Sequence, residues 1–598
     1  MKSSTLVKII LSLLFCSGIL ILGIYILMIG ASEQQLIPEF FFWLGALLFS
    51  SSLVLLSSNV KNTYYRILLI VVSAFFIYSL GFLRSPFYGT DIVGEYSVAT
   101  TTLSMHRWPV ELVSAVSYNQ YFSCLSVTIL PAMMSEVTGL SMMMVFKILV
   151  PLLATFVALG VFLVIRTIFD ERIAFLSTIV FILSGNTALL KEMVRQSVAL
   201  FLLLLAIYLI FSRYGSNRIK VILLSLIFLI VIPTAHYSMV YFALLFLLII
   251  FIVEKMHRHL SNILSRLRIK SNNSLSTFSD SRNTFLTLGV LLVAALAGFL
   301  WLLTVSYPTF SFNTQVGASS IPALLGFGRA VYSYQVGNAL VSSLGAYHTI
   351  INWVVRGLTI VGFLVALKLH GNVRSLAFSL CGGIMFLVLL INLVLPNINL
   401  LLALDRTYLV GMIAFSSFIA LVLIEIPKKL IHMSVRFWSV PVSVVIVVAI
   451  FLTSFVPMTY LPENAATQQY TLSKVPALYS SSDLAFAQWL QTSTNSKTIF
   501  SGDEKGYAIS VGFASRQCFV LSPENSTDTV SQVQISIRLG RPVILSRIVD
   551  WAMWFGSSSG ISSNIFVQSS DLNEMLQSVH SDVVFSNGRS FLLMPSNT

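Results

Sequence analysis

Two carboxylates in the stretch Gly-Thr-Asp-Ile-Val-Gly-Glu-Tyr, residues 89–96, have a spacing that suits a shared site. Asp91 and Glu95 are four residues apart, so they lie on one face if the stretch is helical. Such acids can take a proton from a substrate or bind a divalent cation such as Mg²⁺ or Mn²⁺. The alternative is a solvated loop that contains two acids. The choice depends on which other charged residues lie on the same side of the protein.

The composition indicates a polytopic α-helical membrane protein. The chain has 598 residues, of which 56% are hydrophobic and 10% charged, and its mean hydropathy is +0.88. Soluble domains carry about 25% charged residues. The net charge of +13 would suit nucleic acid, but the Lys and Arg residues are scattered in short loops between apolar runs. This pattern is typical of membrane topology, so we predict membrane lipid and no nucleic acid as a partner.

The apolar runs predict about thirteen transmembrane helices, because a helix of about 20 apolar residues spans a bilayer. The first run is too long for a signal-peptide core and is interpreted as a retained helix. Every loop on one side carries Lys or Arg, which predicts a cytoplasmic N-terminus in the plasma membrane. The predicted spans are 6–29, 38–58, 65–83, 143–166, 173–190, 196–212, 219–234, 236–254, 284–306, 350–369, 375–395, 402–425 and 437–457.

This topology divides the chain into a transmembrane domain, residues 1–457, and an extracytoplasmic domain, residues 458–598. Large outer loops are predicted at 84–142 and 307–349. Short β-rich runs alternate with helical segments in the C-terminal region, which favours a soluble α/β domain. The runs are 498–500, 518–521, 542–545, 583–585 and a last strand at 591–594, and the helical segments include 484–491 and 570–579. A hairpin turn is predicted at 586–589, before the last strand. The four cysteines show no metal-like spacing.

Several charged residues lie in or beside apolar spans, all on the predicted outer side. A charge inside a membrane is costly and usually faces a cavity or a partner. Each has a simpler explanation: Lys191 as a solvated turn residue, Arg195 extending to the headgroups, His236 as a capping residue, and Asp405 paired with Arg406. The set comprises Lys191, Glu192, Arg195, His236, Arg329, His348, Asp405 and Arg406. Acids together with Arg and His favour chemistry on a phosphate-linked substrate.

Three short motifs resemble the GT-C superfamily of integral membrane glycosyltransferases, and within it an archaeal group of multi-pass membrane proteins. The motifs are Asp91-Ile92-x-x-Glu95-Tyr96, His236-Tyr237-Ser238 and Asp405-Arg406-x-Tyr408. The resemblance in layout covers nearly the whole chain. It implies transfer of a sugar from a polyprenyl-phosphate donor to a protein or glycan acceptor on the outer face.

The resemblance also implies roles for individual residues. Asp91 would be the base, and Glu95 its helper or, with Asp91, the ligand of a divalent cation (Mg²⁺ or Mn²⁺). The remaining candidates would bind the carrier phosphate or the substrate. They are Arg195, His236, Arg406, Lys191 and Tyr96.

Two other functions remain open at this point. A transporter or lipid-linked-sugar flippase also uses buried charges, although the sequence shows no clear internal repeat of the kind common in transporters. Charges lining both halves of one cavity would favour it. A non-catalytic scaffold whose outer domain binds a partner would have a sealed outer face beside Asp91.

Overall fold

The computed structural model describes the helical part of the chain and short segments of the C-terminal region. The described residues are 3–31, 40–60, 62–84, 91–113, 117–184, 190, 193–212, 218–266, 288–308, 310–311, 314, 343–368, 373–394, 404–430, 441, 443–450, 481–493, 499–502, 509, 517–520, 543–549, 552–555, 565–568, 581–586 and 590–595.

Long apolar helices make up the described part of the first 430 residues. Seven of the described helices are long and apolar enough to cross a membrane, and three shorter apolar helices accompany them. The helices are α1 (Ser3–Ala31), α2 (Phe40–Asn59), α3 (Thr63–Arg84), α4 (Asp91–Met105), α5 (Ile129–Thr138), α6 (Met142–Arg166), α7 (Glu171–Leu183), α8 (Val194–Phe211), α9 (Arg218–Ala235), α10 (Met239–Arg266), α11 (Leu288–Thr304), α12 (Ser343–Lys368), α13 (Val373–Val394), α14 (Leu404–Leu430) and α15 (Ser481–Ser493).

Helices lie at the first twelve predicted spans, with differences at several boundaries. The fifth ends at Leu183 instead of near residue 190, and the eighth continues to Arg266 instead of ending near 254. The thirteenth predicted span lies mostly outside the described residues. The fold is therefore mostly helical, as predicted, and the number of membrane crossings stays a prediction.

Helix α14 is the most deeply buried of the described membrane-length helices, with α7, α12 and α13 packed against it. Of its apolar window Arg406–Glu425, 94% is buried, against 22% for the window Leu6–Tyr25 of α1. Close packing of α12 on α14 requires glycine at Gly362, where a Cβ would lie 2.1 Å from the carbonyl oxygen of Phe418. The outer helices expose large apolar side chains, such as Leu13 at 62%. Such surfaces are typical of helices that face lipid.

A second hydrophobic cluster joins α4 to the C-terminal region. It contains Ile92 and Val93 of α4 together with Phe486 and Leu490 of α15, all fully buried. The start of α6 and the residues around Tyr121 complete this cluster. Contacts from two distant parts of the chain therefore hold the helix that carries Asp91 and Glu95.

Among the described residues, seven short strands follow α15 and form one sheet. β1 pairs parallel with β2 and β3, and β7 pairs antiparallel with β3 and β6. The strands are β1 (Ile499–Gly502), β2 (Gln517–Val520), β3 (Val543–Val549), β4 (Ala552–Phe555), β5 (Ile565–Gln568), β6 (Ser581–Ser586) and β7 (Ser590–Pro595).

Five of these strands coincide with the predicted β-rich runs, and α15 coincides with the predicted helix near 484–491. The antiparallel pair β6–β7 flanks the predicted hairpin turn, although residues 587–589 themselves lie outside the described residues. The predicted helix near 570–579 also lies outside them. The division of the chain at residue 457 stays a prediction.

Candidate functional site

The two acids of the first motif lie on one face of α4. The helix begins at Asp91, and an acidic residue in the first turn interacts favourably with the helix dipole. Its apolar residues, among them Val98 and Ala99, are buried in the second hydrophobic cluster. Both Asp91 and Glu95 contact the same guanidinium group, that of Arg195. The predicted helical arrangement of the two acids is therefore present.

Arg195 lies between the two carboxylates. Its Nη2 is 3.3 Å from Oδ2 of Asp91, and its Nη1 is 3.2 Å from Oε1 of Glu95. The guanidinium carbon lies 3.7 Å from the ring centroid of Tyr121, at a distance suited to cation–π attraction. The arginine side chain is fully buried. The alternative in which Arg195 extends to the headgroups is therefore wrong.

Two further donors hold the carboxylates. The hydroxyl of Tyr121 donates to Oδ1 of Asp91 at 2.6 Å, and the backbone N–H of Val194 donates to Oε2 of Glu95 at 2.6 Å. Val194 is the first residue of α8, so its N–H has no partner within that helix. Each carboxylate thus bridges α4 to a separate part of the chain.

Hydrogen bonds tie the turn after Tyr121 to the end of α9. The N–H of Leu125 donates to the carbonyl of Thr234 at 2.8 Å, and the hydroxyl of Ser126 donates to the carbonyl of Ala235 at 2.7 Å. The second motif begins directly afterwards, at His236. These contacts bring the first and second motifs together.

Two aromatic residues complete the connection. The hydroxyl of Tyr237 donates to Oε1 of Gln120 at 3.2 Å. Trp108 donates its indole N–H to the carbonyl of Phe122 at 2.7 Å and stacks on Trp301 of α11, with the ring centroids 6.0 Å apart. The segment that holds Tyr121 is therefore fixed from both sides.

His236 is fully buried between α9 and α10. The N–H of Ser238 donates to its Nδ1 at 3.2 Å, so Nδ1 is an acceptor and the ring proton is assigned to Nε2. Among the described residues Nε2 has no hydrogen-bond partner. A buried N–H donor without a partner is costly and is a frequent feature of ligand sites.

Arg406 supplies a second cation at the start of α14. It is half-buried, and its charge acts on both Asp91 and His236. No carboxylate of the described residues lies within ion-pair distance of it. Arg406 therefore differs from Arg195, which contacts two acids.

The two acids differ in their electrostatics. Burial alone would raise the pKa of Asp91, but the charges of Arg195 and Arg406 and the hydrogen bond from Tyr121 outweigh burial and lower it. Burial raises the pKa of Glu95 to about 8, against the opposing charge of Arg195. One guanidinium group neutralises one carboxylate. At neutral pH, Asp91 is ionised and Glu95 is mostly protonated.

The remaining predicted residues are placed as follows. The ring of Tyr96 packs edge-on against Phe146 in the second hydrophobic cluster, with the centroids 5.8 Å apart. Lys191 lies outside the described residues, as do Glu192 and Arg329. Tyr121 was not predicted as a site residue. Its sequence context offered only an aromatic residue in a loop, without a motif that singled it out.

The Asp91–Glu95 pair does not fit a divalent cation in this arrangement. All four carboxylate oxygens lie within hydrogen-bond or ion-pair distance of Tyr121, Arg195 or Val194. A dication would compete with the arginine for the same oxygens. The described residues hold no group of three or more His, Cys, Asp or Glu that would bind a metal.

Comparisons with known proteins find distant structural similarities to this chain. No family model and no curated protein sequence matches the chain. Among solved structures, the oligosaccharyltransferase AglB from Archaeoglobus fulgidus, in complex with an inhibitory peptide and a dolichol-phosphate, is 12% identical. The match covers 90% of this chain and 75% of the AglB chain, with a TM-score of 0.48.

Two further similar structures come from bacteria. ArnT from Cupriavidus metallidurans is 9% identical and covers 88% of this chain and 97% of its own, with a TM-score of 0.45. The arabinofuranosyltransferase AftD from Mycobacteria is 10% identical and covers 90% and 40%, with a TM-score of 0.46. These neighbours are glycosyltransferases of the GT-C type, the superfamily that the motifs resemble. Because the TM-scores are low, the functional argument depends on the site.

Proposed function

We propose that the protein is a membrane glycosyltransferase that moves a sugar from a polyprenyl-phosphate donor to an acceptor on the outer face. One observation carries the proposal: an ionised, partly exposed carboxylate is under the electrostatic influence of a cation that has no carboxylate partner among the described residues, and the same cation acts on a buried imidazole. These groups are Asp91, Arg406 and His236, and the side chain of Asp91 is 24% exposed. They combine a base with two donors for an anionic leaving group.

The reaction breaks the bond between the anomeric carbon and the phosphate oxygen. Asp91 accepts the proton of the acceptor hydroxyl or amide while the acceptor atom bonds to the anomeric carbon. The bonding electrons of the broken bond pass to the phosphate. Arg406 and His236 Nε2–H stabilise the charge that develops there. Because the pKa of Asp91 is lowered, it is a weak base, so proton transfer accompanies bond formation instead of preceding it.

The lipid tail of the donor would lie along the apolar surface next to these donors. α10 begins at Met239, three residues after His236, and exposes Leu248 and Ile252 along its length. The neighbouring α11 exposes Leu292 and Leu296. A polyprenyl chain on this surface would present its phosphate to the site at the start of α10.

The positive-inside pattern supports a plasma-membrane protein with a cytoplasmic N-terminus and an extracytoplasmic C-terminal domain, residues 458–598. The acceptor would then be a protein or a glycan outside the cell. Because α15 shares the second hydrophobic cluster with α4, the C-terminal domain is in a position to orient the acceptor beside Asp91.

The proposal is tested with purified protein in lipid vesicles and a panel of labelled polyprenyl-phosphate monosaccharides. Sugar transfer to added glycan or peptide acceptors, and release of polyprenyl phosphate, are measured. We expect the wild type to use at least one donor and Asp91→Asn to be inactive. Glu111→Gln, which removes an exposed acid paired with Arg107, is the matched control and should remain active.

Two results would count against the proposal. Full activity of Asp91→Asn would show that Asp91 is not the base. Movement of a labelled donor across the vesicle membrane without any transfer or release would favour the flippase alternative.

A further inference from the structure

We propose that Arg195 and Glu95 are positioning residues, which orient Asp91 and contact neither the sugar nor the phosphate. This inference rests on the proposed function and narrows it. It reassigns Arg195, which the resemblance implied as a phosphate ligand, and Glu95, which it implied as the helper of the base or a metal ligand. Arg406 and His236 are then the residues that bind the donor phosphate.

The surroundings of Arg195 leave no room for a phosphate. Its two terminal nitrogens each face a carboxylate, at 3.3 Å for Asp91 and 3.2 Å for Glu95. The ring of Tyr121 covers one face of the guanidinium group at 3.7 Å. The side chain has no exposed surface. A phosphate could bind Arg195 only by displacing a carboxylate into a buried position without a cation, which is strongly unfavourable.

Glu95 is equally inaccessible to a substrate. Its side chain is fully buried, whereas that of Asp91 is 24% exposed. Oε2 accepts the N–H of Val194, and Oε1 lies 3.2 Å from Nη1 of Arg195 without a hydrogen bond among the described residues. The titratable groups that act on Glu95 or respond to it are Arg195, Asp91 and Cys124.

The protonation of Glu95 determines how the charge of Arg195 is shared. With Glu95 protonated, the guanidinium charge acts on Asp91 alone and keeps that carboxylate ionised and oriented. With Glu95 ionised, the two carboxylates share one cation, and the interaction between Arg195 and Asp91 weakens. The raised pKa of Glu95, about 8, agrees with the protonated form at neutral pH. Removal of its proton is then expected to lower activity in the alkaline range.

The first experiment compares three variants by kcat, KM and pH profile. Glu95→Ala removes the support of Arg195 and should lower kcat more than it raises KM. Glu95→Gln, a neutral isostere that still accepts the Val194 N–H, should restore most of the lost kcat and abolish the alkaline decline. If Glu95→Gln is as inactive as Asp91→Asn, Glu95 must be ionised to act, and the inference is overturned.

The second experiment measures binding of undecaprenyl phosphate to the purified protein in detergent. Arg195→Lys keeps the charge and should leave the Kd unchanged while lowering kcat. Arg406→Lys keeps the positive charge but replaces the guanidinium donors with a single ammonium group. It should weaken binding roughly tenfold, the size expected for the loss of a charged hydrogen bond. Equal weakening by the two variants would return Arg195 to the phosphate site.

A third readout is independent of sugar transfer. The infrared spectrum at neutral pH should contain a band of a buried protonated carboxylic acid that is lost in Glu95→Gln and on titration above pH 8. Its absence overturns the inference even if transfer is observed. If the wild type transfers no sugar from any donor but the band is present, the proposed function fails and the protonated Glu95 stands.

Discussion

Two ionic clusters near opposite ends of α3 contain acids and arginines in opposite ratios. In one, two acids flank the buried Arg195. In the other, Arg66 and Arg166 flank Glu171, with nitrogen–oxygen distances of 3.4 and 4.0 Å. The second cluster joins the start of α3 to the end of α6 and the start of α7.

The clusters differ in the solvent exposure of their charged side chains. Arg166, the excess cation of the second cluster, is 43% exposed, so water solvates it. In the first cluster the cation and one acid are fully buried, and Asp91 alone reaches the surface. Buried charge that costs stability persists where function needs it. We therefore interpret the Asp91 cluster as a reactive site and the Glu171 cluster as a clamp between helices.

The sharpest test of this contrast neutralises one acid in each cluster. Asp91→Asn removes the proposed base and should lower kcat roughly 10²- to 10⁴-fold, the usual contribution of a general base. Glu171→Gln should leave kcat unchanged, because its cluster lies beyond the other end of α3. Initial rates of sugar transfer in vesicles measure both. Equal losses in the two variants would mean that the rate depends on helix packing instead of on a base.

Removing one arginine from each cluster tests the role of burial. Arg195→Gln removes the buried cation that both acids contact and should lower the free energy of unfolding by about 3–5 kcal/mol. Arg166→Gln removes a partly exposed ion pair and should cost at most about 1 kcal/mol. Chemical denaturation in detergent compares them. Similar stabilities for the two variants would contradict the assignment of Arg195 to a buried network.

A pair of tyrosines gives a finer comparison. Tyr121→Phe loses the 2.6 Å hydrogen bond to Asp91 and should cost about 1 kcal/mol in unfolding free energy. Tyr65→Phe loses a hydrogen bond of the same length with Ser12 near the start of α3 and serves as the control. We expect similar stabilities but reduced kcat for Tyr121→Phe alone. A normal rate in Tyr121→Phe would show that its hydroxyl does not orient Asp91.

The smallest expected effect is on the acid limb of the pH–rate profile. Asp91 must be ionised to act as base, and its lowered pKa keeps it ionised below the ordinary aspartate value of about 3.9. The wild-type rate should therefore be retained at mildly acidic pH and fall only below that value. Tyr121→Phe removes a hydrogen bond that lowers the pKa of Asp91, so its acid limb should move to higher pH. An unchanged acid limb in this variant would show that the limb does not arise from the titration of Asp91.

Local pattern was sufficient for much of the fold. Apolar runs of membrane-spanning length predict helices because an unpaired backbone is costly in lipid, and α3, α6 and α14 lie where those runs are. β-rich runs likewise predicted strands such as β3 and β7. Boundaries were less predictable, because hydropathy alone does not mark the end of a helix such as α7 at Leu183.

Most residues of the candidate site were named from the sequence, but their arrangement was not. The spacing of Asp91 and Glu95 was enough to predict that they share a helix face. Nothing in the local sequence distinguished their roles, because the difference comes from burial and from Arg195, about a hundred residues later in the chain. Tyr121 was missed as a site residue for the same reason.

The sequence by itself determined that this is a helical membrane protein with acids, arginines and a histidine positioned near the ends of its helices, since composition and periodicity are local properties. Only the tertiary structure decided which acid is exposed, which arginine contacts both acids and which remains without a carboxylate partner in the described part of the chain. Those properties depend on distances between segments that are remote in sequence. The electrostatics that separate Asp91 from Glu95 follow from those distances.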